Sequence, residues 1–200
     1  MKNFYFKDRG GQTPLPPDLQ SGLIPKHIQT MGELDEYEET NISIGTNWLE
    51  SQHKKQYLKY QFWQLLHKKL FSEVWKWAGK IRENELDNPY FVHPSKIWPE
   101  IKKLEDNIES WLEYQSFSER QIAAKIHERL LTIHPFPNGN GRFSRILVEY
   151  ICQERGWPVP TWSMQTNDNP AARRREYVDS LNEARENRNH NRLEKFMFSK

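Results

Sequence analysis

The 200-residue chain has a single cysteine, Cys152, so no internal disulfide can brace it. Cys152 sits in an apolar helical pattern and is expected to be a buried, unreactive thiol, which suits a reducing cytoplasm. No uninterrupted apolar stretch is long enough to span a bilayer, and the opening MKNFYFKDRGGQTPLPPDLQ lacks the apolar run of a signal peptide. A soluble cytoplasmic protein without membrane contact is expected. Net charge is small as well: 29 Lys+Arg against 27 Asp+Glu give +2, so no global field favours nucleic acid. Repeats and low-complexity tracts are missing, and the length suits one main domain with a substantial core. Glycine is scarce, with nine in the chain, yet two of them flank Asn140 in HPFPNGNGR, residues 134 to 142. Glycine is kept where a backbone bends unusually or something approaches it closely, so this loop is where a ligand is expected.

The rest of the chain reads as helices. Residues 7 to 25 carry GG, LPPD and LIP as breakers and form an extended arm that should wrap rather than enter the core. Thr30 and Glu33 have capping-box spacing, which starts a helix near Met31. Phe62, Leu65, Leu66, Leu70 and Trp75 recur at helical spacing, with Gly79 closing the run. Residues 82 to 95, RENELDNPYFVHPS, break that period and fit a short hairpin. Helical stripes resume with Ile97, Ile101, Leu104, Ile108 and Trp111, then with Ile122, Ile126, Leu130 and Ile133. Ile146, Leu147, Tyr150 and Ile151 form another face, ended by Gly156 and Pro158. Asn169 and Pro170 open a final helix. The fold class is therefore all-α with one small β-hairpin.

The loop lies between two helices, so the second helix turns its free N–H groups and the positive end of its dipole toward whatever the loop holds. Gly139, Asn140 and Gly141 can form a nest of inward N–H groups, for which phosphate is the natural guest. Arg142 and Arg145, one turn apart, can clamp different phosphates of one polyphosphate. His134 is the group here whose ordinary pKa suits a proton acceptor. Taken singly, GNG is also a common tight turn between helices, and either arginine could be a solvated surface residue.

Taken together, HPFPNGNGRFSR closely resembles the signature H-x-F-x-[D/E]-G-N-G-R-x-x-R of the Fic (filamentation induced by cAMP) family. VWKWAGKIR, residues 74 to 82, is similar to the stretch before the family's substrate-docking flap. TPLPPDLQSGLIPKHIQTMGELDEYEETNI resembles the N-terminal part of a bacterial Fic subgroup labelled mobile mystery protein B. The resemblance implies a Fic-type helical bundle that transfers AMP from ATP, with magnesium, to a Ser, Thr or Tyr hydroxyl of a target protein. It implies His134 as the base, Gly139, Asn140 and Gly141 on the α- and β-phosphates, Arg142 at the leaving diphosphate and Arg145 at the γ-phosphate. Phe136 would anchor the loop. Asn138 stands where the family has a metal-binding acid; an amide oxygen still coordinates magnesium but brings no charge, so weaker transfer, another phosphate-containing donor, or mere binding stay open.

Asp87, Asn88, Pro89 and Tyr90 correspond to the flap, which would pair with an extended stretch of the target by strand addition. Many Fic proteins carry an inhibitory glutamate that pairs with the second arginine of the signature. DEYEETN, residues 35 to 41, nominates Glu39 as that residue with Arg145 as its partner, although on a helical wheel Glu38 lies nearer the apolar stripe. The resulting division is 1–45 for the arm and inhibitory helix and 46–200 for the catalytic part. An antitoxin or regulatory protein, as in toxin–antitoxin pairs, and oligomerisation are further expectations. HERLL, 127 to 131, lacks the second histidine of a zinc protease, which leaves His127 as a polar residue on a helix face. RRRE, 173 to 176, reads as a solvated face, and the eight tryptophans mostly as core.

Overall fold

The computed structural model describes residues 21–52, 56–163 and 169–199. Helix α1 spans Met31–Glu50 and opens on the capping box: the Glu33 N–H donates to Thr30 Oγ1 at 3.3 Å, and the Thr30 N–H to Glu33 Oε2 at 3.1 Å. Helix α2 (Tyr60–Phe71) has no cap of its own, and its first N–H is taken by the buried Glu105 carboxylate at 2.6 Å. That carboxylate comes from α3 (Ile97–Glu113), which follows a single 3-10 turn at Pro94–Lys96. Helix α4 (Glu119–Ile133) starts on a second capping box, Ser118 with Gln121. Helices α5 (Asn140–Glu154), α6 (Pro170–Asn187) and α7 (Asn191–Phe198) complete the order.

Helix α4 is the hub, packing on α3, α5, α6 and α7, while α2 bridges α1 and α5. Each apolar stripe enters one shared core, in which Trp63, Phe71, Phe136 and Phe143 are the bulkiest fully buried side chains. Helix α1 presses on the end of α2 so closely that a Cβ on Gly45 would lie 2.8 Å from the Lys69 carbonyl oxygen. Asn41 caps that end, donating to the Lys69 carbonyl and accepting the Glu73 N–H. Helix α1 is thereby fixed against the bundle, and it continues unbroken past residue 45. No described helix is long and apolar enough to cross a membrane.

Four expectations are corrected. Residues 82 to 93 form no ladder, and the β-bridge that joins Leu23 to Trp75 lies outside them. The segment spends its backbone bonds on the rest of the fold instead, with the Arg82 N–H on the Pro135 carbonyl and the Val92 N–H on that of Thr132. Helix α2 ends at Phe71, well before Gly79, which adopts φ +77° in the turns beyond. Helix α6 does start on the Asn169 cap, but α7 follows it as a further, final helix. The end of the arm also joins the core: Leu23 and Ile28 are buried, and backbone bonds tie Gly22 and Ile24 to Lys76 and Val74. Residues 7 to 20 of the arm lie outside the described residues.

Candidate active site

Helix α4 stops at His134, which takes the left-handed conformation (φ 47°, ψ 59°) directly before a proline that cannot continue the helix. Two residues on, Phe136 is buried between His67 and Phe143, its ring stacked 3.7 Å from the His67 ring centroid. Asn140 then pins the loop with both ends of its amide. Nδ2 donates to the Phe136 carbonyl at 2.7 Å, and Oδ1 accepts the Phe136 N–H at 3.0 Å. His67 holds the loop from below: Nδ1 accepts the Gly79 N–H, so Nε2 carries the proton and donates to the Asn138 carbonyl at 3.0 Å. Burial keeps this ring neutral, pulling its pKa to about 3.

The two glycines have different reasons. Gly139 has φ +77°, and a Cβ there would lie 2.7 Å from Phe71, so the fold itself demands glycine. At Gly141 a Cβ would meet only the Arg145 guanidinium, at 3.9 Å, so packing among the described residues makes no such demand. Its smallness leaves the first turn of α5 open. No side chain caps that turn and no acid lies in it, while Arg142 and Arg145 add charge at the positive end of the helix. The Glu38 carboxylate answers the Arg142 charge, and the open first turn leaves room for a further anion.

Beside it opens a cleft of about 740 Å³, lined by Asn88 to Phe91, by His134, Gly141 and Arg145, and by Tyr177 and Arg185 of α6. The His134 ring lies flat on Phe91, with centroids 3.9 Å apart. Burial draws its pKa down to about 4 against the pull of the Leu131 carbonyl, and Arg82 and Arg185 add repulsion in the same downward direction. The ring is thus neutral at physiological pH, the state in which an imidazole accepts a proton. Arg82, itself buried, organises the segment between the helices. Its guanidinium donates to the carbonyls of His134 at 2.7 Å, Asn84 at 2.9 Å, and Val92. The C-terminal end of α4 and the 82–92 segment are held as one piece.

The flap residues divide. Asn88, Pro89 and Tyr90 line the cleft, whereas Asp87 is exposed outside it. Asn88 Oδ1 accepts the Tyr90 N–H at 3.0 Å, and the Tyr90 hydroxyl donates to Glu186 of α6. Asn138 is exposed, and its side-chain oxygen accepts the Gly139 N–H at 2.6 Å. Among the described residues no group of three or more His, Cys, Asp or Glu could hold a metal. The acid that turns inward is Glu38, 4 % exposed, whereas Glu39 is half-buried. Glu38 meets Arg142 at 2.5 and 3.1 Å and accepts the Trp75 indole N–H at 2.7 Å. Arg145 lies against Tyr177, with its guanidinium carbon 5.9 Å from the ring centroid.

Sequence reasoning passed over His67, Arg82, Tyr177 and Arg185. His67 carried a signal, because it shares the apolar face of Leu66 and Leu70, where a polar ring must find partners. His127 is not the helix-face residue expected: it is fully buried, with Nε2 2.8 Å from the Tyr177 hydroxyl. Cys152 is buried as expected, and burial pushes its thiol up to about 12.

A bundle of this shape, with a glycine-gated helix start beside a neutral histidine, defines a Fic-type domain. Residues 57–152 match the model of the Fic/DOC family, and the chain carries a domain of that family there. It is 34 % identical over 102 residues to the protein adenylyltransferase VbhT of Bartonella schoenbuchensis, a match covering 47 % of this chain and 21 % of that protein. With the protein adenylyltransferase fic-1 of Caenorhabditis elegans it shares 32 % over 111 residues, 54 % of this chain and 20 % of the relative. The matches thus span about a fifth of these relatives' length. Among solved structures, BepC of Bartonella tribocorum with bound AMPPNP superposes with a TM-score of 0.68 at 20 % identity, covering 89 % of this chain and 94 % of that one. That likeness is one of fold.

Proposed function

We propose that the chain is a protein adenylyltransferase, transferring AMP from ATP to a Ser, Thr or Tyr hydroxyl of a target protein in the cytoplasm. The observation that carries this reading is the shared cleft: neutral His134 opposite an uncapped helix start at Gly141 and Arg145. In the reaction, His134 takes the proton of the target hydroxyl. The oxygen bonds to the α-phosphorus, the bond from that phosphorus to the α–β bridging oxygen breaks, and diphosphate leaves. The N–H groups at the start of α5 hold the α- and β-phosphates, Arg145 meets the γ-phosphate, and Arg142 offsets charge on the leaving group. The Asn88–Tyr90 stretch borders the same cleft, where a target segment would dock, although its own N–H groups are taken by Leu86 and Asn88.

Magnesium would enter with the nucleotide. At the expected position the chain places the neutral oxygen of Asn138, already engaged by the Gly139 N–H, and the described residues form no metal cluster, so no step is assigned to the ion. Glu38 restrains the activity by holding Arg142. An antitoxin or regulatory protein is a further proposed partner.

A second reading, a binding protein without turnover, draws on the neutral Asn138 and the occupied Arg142. Incubation with cell lysate and each of the four labelled nucleoside triphosphates separates the two. Transfer predicts a labelled band, chiefly from ATP, that His134→Ala lowers by roughly two to four orders of magnitude; absence of label from any donor supports binding alone.

A further inference from the structure

Behind Arg145 lies a buried polar chain that the proposed chemistry does not use. Tyr177, on α6, is 8 % exposed, and its hydroxyl stands 2.8 Å from Nε2 of His127, which is wholly buried on α4. Arg145, on α5, reaches the same hydroxyl from the cleft side, and its charge opposes the upward pull of burial on the tyrosine. A guanidinium can only donate, so the tyrosine oxygen accepts from Arg145; in the His127 tautomer that carries its proton on Nδ1, Nε2 takes the tyrosine proton. The imidazole proton then rests on Nδ1, beside the carbonyl of Ser144, the residue preceding Arg145. The Trp162 ring covers His127 at 4.8 Å between centroids, and the Trp162 indole N–H donates to Glu149 at 2.6 Å.

Three helices therefore converge on one hydroxyl, which meets a wholly buried ring packed beneath Trp162. An arginine side chain has many rotamers, and confining one to a single position is worth most where it must meet a phosphate at a fixed distance. The guanidinium is confined over the open start of its own helix, 3.9 Å from where a Gly141 Cβ would stand.

We infer that Tyr177, oriented by His127, is a positioning residue that holds Arg145 for the terminal phosphate of a nucleoside triphosphate and so sets the preference for tri- over diphosphate. The inference rests on the proposed role of Arg145. It assigns a function to His127 and Tyr177, neither of which touches the reacting atoms.

The test is calorimetric titration of the full chain with the non-transferable analogues α,β-methylene-ATP and α,β-methylene-ADP. Arg145→Ala should bring the ratio of the two affinities close to one. Tyr177→Phe, which removes one oxygen and keeps the ring, should weaken the triphosphate about five- to tenfold, the scale of one ordinary hydrogen bond, and leave the diphosphate within about twofold. His127→Leu should reproduce that pattern, and His127→Gln, whose amide oxygen can accept the tyrosine proton, should restore most of the preference. If Arg145→Ala leaves the ratio unchanged, the reading of Arg145 is wrong and the inference falls with it. If Arg145→Ala collapses the ratio but Tyr177→Phe does not, Tyr177 does not position the arginine. Equal weakening of both ligands by Tyr177→Phe would show a merely structural role and overturn the inference too.

Discussion

Glu38 and Arg142, on α1 and α5, form a two-point ion pair at 2.5 and 3.1 Å, closed on one side by the Trp75 indole and on the other by the Phe71 ring. A carboxylate thus holds the arginine that a polyphosphate would need. Glu38→Ala should raise labelling of a target, or of the chain itself, by at least about tenfold, the scale of one charge-assisted contact. Glu39→Ala should leave it within about twofold. The same Glu38→Ala variant should melt at a lower temperature, since removing one partner of a buried pair costs about 3 kcal/mol. Equal activation by both substitutions, or by Glu39→Ala alone, would contradict the assignment of restraint to Glu38.

Gly139 and Gly141 should separate stability from binding. Gly139→Ala meets both a positive φ and the Phe71 ring, and should destabilise the fold by about 2–4 kcal/mol, read as a lowered melting temperature. Gly141→Ala should leave stability within about 0.5 kcal/mol, yet weaken nucleotide binding by about tenfold or more, because the methyl stands where phosphate approaches. Normal nucleotide affinity in Gly141→Ala would remove the argument that the helix start receives the phosphates.

Much of this arrangement was legible in the residues alone. Both helix signals built on local chemistry, the Thr30–Glu33 box and the Asn169 cap, appear in the structure, because a cap needs only the three residues that follow it. The loop was readable for a similar reason: its glycines, its asparagine and its arginines sit together in the chain. What escaped depends on distant partners. The helical wheel already turned Glu38 toward the apolar stripe but could not show that Trp75 and Arg142 meet it there, nor that His127 and Arg145 converge on Tyr177. The hairpin expected at 82 to 95 fails to form because Arg82 draws that segment's carbonyls, and Pro135 and Thr132 accept its N–H groups. A local turn signal carries no trace of that competition.

Acid should destabilise the protein through its buried imidazoles. The pKa values of His67 and His134 are lowered to about 3 and about 4, and that of His127 lies well below 6.5. The folded state keeps these rings neutral, whereas the unfolded chain binds protons near pH 6.5. Their contribution is whole above that pH and is lost as pH falls toward the folded values. Between pH 7 and pH 5 the loss is roughly 2 kcal/mol for each of His67 and His134, and His127 acts in the same direction, so the melting temperature should drop steeply over that interval. Transfer per folded molecule should stay flat from about pH 8 to about 5.5, because His134 does not take a proton there. A rate already halved at pH 6.5 would mean that the base titrates like an exposed histidine.

Asn138→Asp should shift the magnesium titration of activity to lower concentration and raise the rate at saturating ATP, because it adds a charged oxygen at an exposed place beside the helix start. A titration curve identical to wild type would show that position 138 does not face the ion.

Adenylyl transfer requires that the α-phosphorus be the centre attacked. The Glu38→Ala protein should therefore be incubated with ATP labelled on the α-phosphate and, separately, on the γ-phosphate, before gel separation of the products. Label on protein from the α position, none from the γ position, and loss of the signal in Glu38→Ala with His134→Ala are the results expected of adenylyl transfer. Label from the γ position alone would make the chain a phosphotransferase, and no label from either would make it a binding protein; both contradict the account.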